Sequence, residues 1–446
     1  MYFRNIDLEL LTWKTGDARK PLILRGARQV GKTSAVSLFA KNYKQYIPLN
    51  LEKFQDADLF IKHNNIKNLI EAIFFLYNQD VNYKHQTLIF IDEIQDVPQA
   101  INTLRYFYEE YPEIHVIAAG SLLETVLSEN ISIPVGRVEF SVLRPVSFYE
   151  FLGASAQTQL QNMIDNTDVP EYAHNKMMEY FYTYSHIGGM PEVVANYIVN
   201  KNFNKINKIY DSLLVAYQND FEKYAKNNAQ INILRHILTS MGSEIGNRIK
   251  FQHFANSNYG SKEVSEALRV LEKAMLVKLV YPTISTKYPI QNDYKKSPRL
   301  QFLDTGLFNK LAGIQKDFMR TNQVESVHQG KVAEHIVGQE LLTHSYSPLH
   351  DIKFWTRENK DANAEVDYLY EYEGLLIPLE VKLGAAGRLR SLHSFIDKAE
   401  HNIGIRVSSN YFSVENVKTI AGKNYKLLNV PFYLLSSLNK IVTNQL

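Results

Sequence analysis

The 446-residue chain contains no cysteine. Disulfides, Cys-ligated zinc and a Cys nucleophile are therefore excluded. The composition fits a reducing compartment, and a cytoplasmic location is expected. Neither sign of charge dominates: 49 Lys and Arg stand against 47 Asp and Glu, a formal net charge of +2. That argues against a highly basic coat but is compatible with a local basic groove. No uncharged apolar run approaches the roughly 18 residues of a membrane span, so no membrane partner is expected. The first residues, Met1–Tyr2–Phe3–Arg4–Asn5–Ile6–Asp7, lack the basic stretch and apolar core of a signal peptide. No repeat or low-complexity tract is visible. Hydrophobic residues make up 45%, ordinary for a globular protein and sufficient for several cores. Length alone sets a prior of about three domains.

What is present begins with Leu22–Ile23–Leu24–Arg25, which reads as a short buried strand. Gly26–Ala27–Arg28–Gln29–Val30–Gly31–Lys32–Thr33–Ser34 follows as a glycine-bounded loop and a helix start. Gly26 to Thr33 fits G-x-x-x-x-G-K-[ST], the phosphate-cradling P-loop. Gly26 and Gly31 allow backbone angles that a Cβ would block. The loop N–H groups then form an anion nest, and the helix adds its positive N-terminal end. Lys32 would reach the β- and γ-phosphates, and the Thr33 hydroxyl would bind Mg²⁺.

Leu88–Ile89–Phe90–Ile91–Asp92–Glu93 is a buried-strand pattern that ends in two acids, a Walker B pattern. Asp92 could hold Mg²⁺ through its water shell, and Glu93 could orient and activate the attacking water. No N-K-x-D guanine-reading motif occurs, so ATP is preferred to GTP. A third strand pattern, His115–Val116–Ile117–Ala118–Ala119, ends at Gly120–Ser121. Ser121 is a candidate γ-phosphate sensor, with an ordinary strand-to-helix turn as the competing reading. In Gly136–Arg137–Val138, Arg137 could act as an arginine finger, in cis or from a neighbouring subunit. A surface ion pair is the competing reading. Strands alternating with helices imply a parallel sheet with ligand at its carboxyl edge. Before the P-loop, Ile6, Leu10 and Trp13 predict an amphipathic helix, and a further helix is expected over 61–77.

Several blocks together resemble a prokaryotic family of AAA-type ATPases that carry a C-terminal domain of unknown function of the DUF4143 type. They are residues 26–33, Asp92–Glu93–Ile94–Gln95, Gly120–Ser121, Gly136–Arg137, Pro145–Val146–Ser147–Phe148–Tyr149–Glu150–Phe151 and Gly188–Gly189–Met190–Pro191–Glu192, where the family often has Gly-Gly-Tyr-Pro-Glu. Phe302–Leu303–Asp304–Thr305–Gly306–Leu307 matches the family's Asp-Thr-Gly-Leu block and reads as a packed turn. The resemblance spans nearly the whole chain. It implies a P-loop fold and ATP chemistry, and says little of biological role. ATPases of this type often assemble, so a homo-oligomer is compatible with the resemblance.

Residues 171–230 read as helices whose aromatic spacing suits packing better than base stacking. Residues 231–282 fit a winged helix, with Ile231, Leu234, Ile237 and Leu238 on one helical face. Lys262 and Arg269 would then be available for phosphates, although Glu263, Glu266 and Glu272 share that helix. Lys295–Lys296–Ser297–Pro298–Arg299 reads as a solvated basic turn.

Near the C-terminus, 365–370 and 375–382 predict a hairpin around Glu373 and Gly374. Tyr372 then pairs with Leu375 and Asp367 lies opposite Glu380. Alternate residues share a strand face, so Asp367, Glu380 and Lys382 would converge with Glu365 beside them. That arrangement resembles the PD-(D/E)xK nuclease-like fold. In this mapping Asp367 and Glu380 hold Mg²⁺ or Mn²⁺, Lys382 steadies charge, and Glu334 on an upstream helix is an auxiliary acid. The residue before Asp367 is Val rather than Pro. Acids and Lys alternating on a solvated strand face are the competing reading.

The fold expected is α/β: a P-loop parallel sheet at 1–230 with a helical extension, a winged-helix-like domain at 231–290, and a restriction-endonuclease-like domain at 291–446. The function expected is Mg²⁺-dependent ATP hydrolysis, with a C-terminal domain that acts on or binds DNA or RNA. The alternative is an ATP-dependent switch that binds a protein partner and carries an inactive C-terminal domain.

Overall fold

The structure, a computed structural model, describes residues 2–120, 134, 136–244, 246–315, 326–358, 363–383 and 389–446. The chain divides into two compact units. The first holds Met1–Pro145 and takes in two later segments, Lys273–Met275 and Ser345–His350. The second holds Val146–Glu272, Leu276–His344 and Asp351–Leu446.

The first unit is built on five parallel strands: β1 (Leu22–Arg25), β2 (Gln45–Asn50), β3 (Thr87–Asp92), β4 (His115–Gly120) and β5 (Glu139–Val142). Their order across the sheet is β2-β3-β4-β1-β5. Every residue of β3 and β4 is buried. This is why both read as nearly continuous apolar runs: a parallel strand covered on both faces has no solvent side to alternate toward. Helix α1 (Ile6–Thr15) buries Ile6, Leu10 and Trp13, as its spacing requires. Helix α2 (Lys32–Phe39) follows the P-loop.

The single helix expected over 61–77 is instead two, α3 (Phe54–Lys62) and α4 (Ile66–Leu76). The break lies at Asn65, whose side chain accepts from the Lys67 and Asn68 amides and so starts a new helix. Helix α5 (Pro98–Glu110) begins with Pro98 in its first turn, where the missing N–H costs nothing. At the end of β5, the Val142 amide donates to the Tyr346 carbonyl at 2.8 Å. The segment Ser345–His350 is thereby tied to this sheet.

The second unit contains a mixed seven-stranded sheet and a two-stranded one. Strands β6 (Val277–Val280) and β8 (Arg299–Phe302) pair antiparallel. The larger sheet runs β13-β14-β12-β11-β10-β9-β7. Its members are β7 (Pro282–Thr283), β9 (Lys353–Glu358), β10 (Asn363–Tyr372), β11 (Leu375–Val381), β12 (Ile403–Ser408), β13 (Ser413–Lys418) and β14 (Asn424–Pro431). Trp355, Val366, Leu369, Leu376 and Phe395 form one buried cluster on it.

In the 231–290 region the helices are Asn228–Ser240 and Ser261–Lys273, followed by β6. Val264, Ala267, Leu268 and Leu271 bury one face of the second helix. Lys262 and Arg269 are exposed beside exposed Glu263 and Glu266, so the solvent face is mixed in charge.

Asp304 explains two of the sequence blocks at once. It is fully buried. Its Oδ1 accepts from the Tyr210 hydroxyl at 2.7 Å and the Leu307 amide at 2.9 Å, capping the helix Thr305–Leu311. Its Oδ2 accepts from the Gly189 amide at 2.5 Å. A Cβ on Gly306 would meet the Tyr210 hydroxyl at 2.1 Å and the Ile187 carbonyl at 2.3 Å. The Asp-Thr-Gly-Leu block is therefore a packed turn, and the Gly-Gly block is its partner.

Candidate functional site

The first site lies at the carboxyl edge of the parallel sheet, where β1 runs through the P-loop into α2. Gly31 has φ +94° and Gln29 has φ +65°, so the loop turns through left-handed backbone just before the helix. A Cβ on Gly26 would come within 2.6 Å of the Leu143 carbonyl oxygen, which is the reason glycine stands there. Lys32 is buried and its Nζ donates to the Gly26 and Ala27 carbonyls at 2.9 and 3.1 Å. Burial lowers its pKa, and Glu93 and Asp92 oppose that shift.

The Thr33 hydroxyl donates to Asp92 Oδ2 at 2.6 Å. Burial raises the pKa of Asp92, the Thr33 hydrogen bond lowers it, and the neighbouring Glu93 charge raises it again. Glu93 is held at φ 51°, ψ 45°, a left-handed conformation that is costly for a residue with a side chain. Its Oε2 accepts from Gln95 Nε2 at 2.7 Å. Gln95 carried no role in the sequence reading. It stood in the Asp-Glu-Ile-Gln block, but only geometry shows that its amide reaches back to Glu93.

These residues fit a nucleoside triphosphate with a divalent ion. The first amides of α2, at Lys32, Thr33 and Ser34, have no acceptor within the helix. A buried ammonium lies over the loop. A hydroxyl and a carboxylate meet at hydrogen-bond distance, which is the donor set a hydrated Mg²⁺ takes.

Two other expected members behave differently. Ser121 lies outside the described residues. Arg137 precedes β5, and the β1–β5 register sets Glu139 opposite Leu22, the first residue of β1. Arg137 is therefore at the amino edge of the sheet, away from the P-loop. Its Nε donates to Glu109 Oε1 at 2.7 Å, and Glu109 also accepts from Arg105. In its own chain Arg137 is a surface ion pair and does not reach the phosphate loop.

The second cluster belongs to the other unit. Glu373 and Gly374 both have positive φ, 43° and 78°, as a two-residue hairpin turn requires. The ladder runs from Tyr372 with Leu375 to Tyr368 with Leu379. Continued one step, that register sets Asp367 opposite Glu380. Both are buried. Asp367 Oδ2 accepts from the Val381 amide at 2.8 Å, and Glu380 Oε1 accepts from Lys382 Nζ at 2.7 Å. Glu334, on the helix Ser326–Leu342, joins them: the Tyr368 hydroxyl donates to its carbonyl at 2.8 Å. Burial, reinforced by the Asp367 charge, pushes Glu334 and Glu380 each up to about 7. Burial tends to lower the Lys382 pKa, but Glu380, Asp367 and Glu334 together outweigh it and the net shift is upward.

Arg299 was expected in a solvated turn, and the structure corrects this. It opens β8, with its side chain 15% exposed. Its guanidinium pairs with Glu365, lies 3.8 Å from Asp367 Oδ1, and stands 4.6 Å over the Phe354 ring. Arg248 approaches from the other side, 2.6 Å from Glu365 Oε2. No spacing in the sequence joins Arg248 or Arg299 to the hairpin. A cavity of about 20 Å³, room for one water, is lined by Arg299, Lys331, Glu334, Asp367 and Tyr368, among others.

Glu380 Oε2 is buried with no hydrogen-bond partner among the described residues. Yet among the described residues no three His, Cys, Asp or Glu side chains are arranged to hold a metal. The oxygens suit a hard cation, but Arg299 and Lys382 already stand against them. As arranged, the cluster does not fit a metal cage.

Three families match successive parts of the chain: an AAA domain at residues 18–152, a domain of unknown function (DUF8612) at 178–317, and a domain of unknown function (DUF4143) at 329–433. Among solved structures, a Walker-type ATPase of Pyrococcus abyssi is 15% identical, with 70% of this chain and 96% of that one covered and a TM-score of 0.42. The Orc1 protein of Aeropyrum pernix in complex with DNA is 12% identical, with 70% and 93% covered and a TM-score of 0.25. RuvB of Thermotoga maritima is 16% identical, with 65% and 89% covered and a TM-score of 0.26. No curated protein matches the chain. The chain carries an AAA-type P-loop ATPase domain at residues 18–152 and a DUF4143 domain at residues 329–433.

Proposed function

We propose that the AAA-type domain hydrolyses ATP with Mg²⁺ and that the C-terminal domain acts on or binds nucleic acid. The observation that carries the first part is the 2.6 Å contact between Thr33 and Asp92. It brings the P-loop helix to the strand that ends in Glu93. The amides of residues 26–34 bind the phosphates, and Lys32 neutralises charge on the β and γ groups. Thr33 and Asp92 would hold a hydrated Mg²⁺, which when bound would supply charge neutralisation at the phosphate oxygens. Glu93 orients the attacking water and takes its proton, and Gln95 fixes the Glu93 carboxylate. Ser121, next after β4 in sequence, is the candidate γ-phosphate sensor. Arg137 could serve only the site of a neighbouring copy, which makes a homo-oligomer part of this reading.

The C-terminal reading rests on the paired strands that carry Asp367 and Glu380, with Lys382 directly after the second strand and Glu334 on the helix beside them. In a nuclease-like role Lys382 would steady the phosphate charge, and Asp367 and Glu380 would be ligands to Mg²⁺ or Mn²⁺ only with the Arg299 guanidinium displaced. A second reading is favoured by Arg299. If it holds the cation position permanently, the domain is inactive toward phosphodiesters and the protein is an ATP-dependent switch for a protein partner. The test is direct. Purified protein meets single- and double-stranded DNA and RNA with Mn²⁺ and ATP, beside Lys382→Ala. Cleavage lost in the variant supports the nuclease reading. No cleavage, with ATP hydrolysis intact, supports the switch.

A further inference from the structure

The carboxylate cluster of the second unit is populated by protein cations as well as acids. Arg299 faces Glu365 and Asp367, Lys382 faces Glu380, and Arg248 closes the far side of Glu365. The Arg299 fork is not a mobile surface group. β8 is paired with β6 along its length, and Arg299 also bridges to Arg248 through the backbone. The Phe354 ring lies under the guanidinium. A guanidinium cannot be neutralised by losing its proton inside a protein, so its charge is permanent.

A divalent ion bound by Asp367 would share that carboxylate with a full positive charge 3.8 Å away. In a buried setting such repulsion is large. The cluster also lacks the open, acid-only face of a metal cage, in agreement with the absence of a three-ligand group among the described residues. One acceptor remains: Glu380 Oε2, buried and without a hydrogen-bond partner among the described residues. It is the free oxygen that a cation would use if the guanidinium were gone.

We propose that Arg299 is the resident counter-cation of Glu365 and Asp367 and suppresses divalent-ion binding by Asp367 and Glu380. The inference rests on the reading of Asp367 and Glu380 as potential ligands. It assigns Arg299 as a positioning residue that sets the metal affinity of the domain. A guanidinium that only stabilises the fold would, on removal, lower stability and create no metal site.

The test uses the full chain without nucleotide and counts bound Mn²⁺ by electron paramagnetic resonance. Wild type is compared with Asp367→Asn, Arg299→Met and the Arg299→Met/Asp367→Asn double variant. The expected result is no Asp367-dependent Mn²⁺ in wild type. Arg299→Met gains a single Asp367-dependent site, filled at a Mn²⁺ concentration at least about tenfold below any at which wild type shows one, which the double variant loses. Wild type that binds Mn²⁺ through Asp367 overturns the proposal, and so does a folded Arg299→Met with no gain. If Arg299→Met does not fold, the comparison of wild type with Asp367→Asn decides alone, by the presence or absence of that site. The nuclease reading fails separately. A gained Mn²⁺ site with no cleavage of any nucleic acid sinks that reading and leaves the role of Arg299 standing.

Discussion

Thr33 and Asp92 touch, although the strands that deliver them are not neighbours. The Thr33 hydroxyl donates to Asp92 Oδ2 at 2.6 Å. β4 lies between β1 and β3 in the sheet. The contact is made above the sheet edge, between the helix after β1 and the last residue of β3. It sets the two candidate Mg²⁺-binding groups at one point and leaves Glu93 as the next residue out.

Removal of the Glu93 base isolates the chemical step. Glu93→Gln keeps the shape and the hydrogen bond from Gln95 but cannot accept a proton. ATP hydrolysis is expected to fall by about two to four orders of magnitude with nucleotide binding retained. Steady-state turnover and filter-retained ATP measure the two quantities. Unchanged turnover would refute Glu93 as the base.

Thr33→Ala removes the hydroxyl that meets Asp92. The variant is expected to need a much higher Mg²⁺ concentration for half-maximal hydrolysis, while metal-free nucleotide binding changes little. A titration of Mg²⁺ at fixed ATP reads this out. A Mg²⁺ dependence identical to wild type would remove Thr33 from the metal assignment.

Gly306 sits against Tyr210 and Ile187, with no room for a methyl group. Gly306→Ala is expected to destabilise the second unit by about 1–3 kcal/mol or more through overpacking. Tyr210→Phe leaves Asp304 short of one donor and is expected to cost about 1–3 kcal/mol. Thermal or urea unfolding checks both, and wild-type stability in either would contradict the packing described.

Glu340 gives the fold a pH dependence of definite sign. It is buried, accepts from the Phe148 amide at 3.0 Å and the Tyr184 hydroxyl at 2.8 Å, and is pushed by burial up to about 7 from an ordinary 4.5. The folded chain therefore holds this proton more tightly than the unfolded one. The stabilisation is complete below 4.5 and is lost as pH rises through about 7. Glu334 and Glu380, also raised to about 7, act in the same direction. The thermal midpoint of wild type should fall between pH 6 and pH 8 (approximate bounds around the shifted group), and Glu340→Gln should fall less. A midpoint that rises over this interval would contradict the burial assigned to Glu340.

Much of this protein is written locally in its sequence. The P-loop is a contiguous run, so its glycines, lysine and threonine can be read without knowledge of what packs on them. The β10–β11 hairpin is equally local: two turn residues set the register, and the register puts Asp367 opposite Glu380 by count alone. The Walker B strand is legible because a strand buried on both faces must be apolar throughout.

What only tertiary structure decided is where distant segments meet. Arg137 belongs to the amino edge of its sheet because β5 starts beside Leu22, and nothing in its own neighbourhood says so. Asp304 meets Gly189 and Tyr210 through a turn whose partners lie far back in the chain. Arg299 looked like one residue of an exposed basic turn, yet strand pairing carries it into the carboxylate cluster. Periodicity and motif spacing encode contacts within an element or a hairpin. The charge balance of a site depends on which strand of another sheet is laid across it, and that is set by packing of the whole chain.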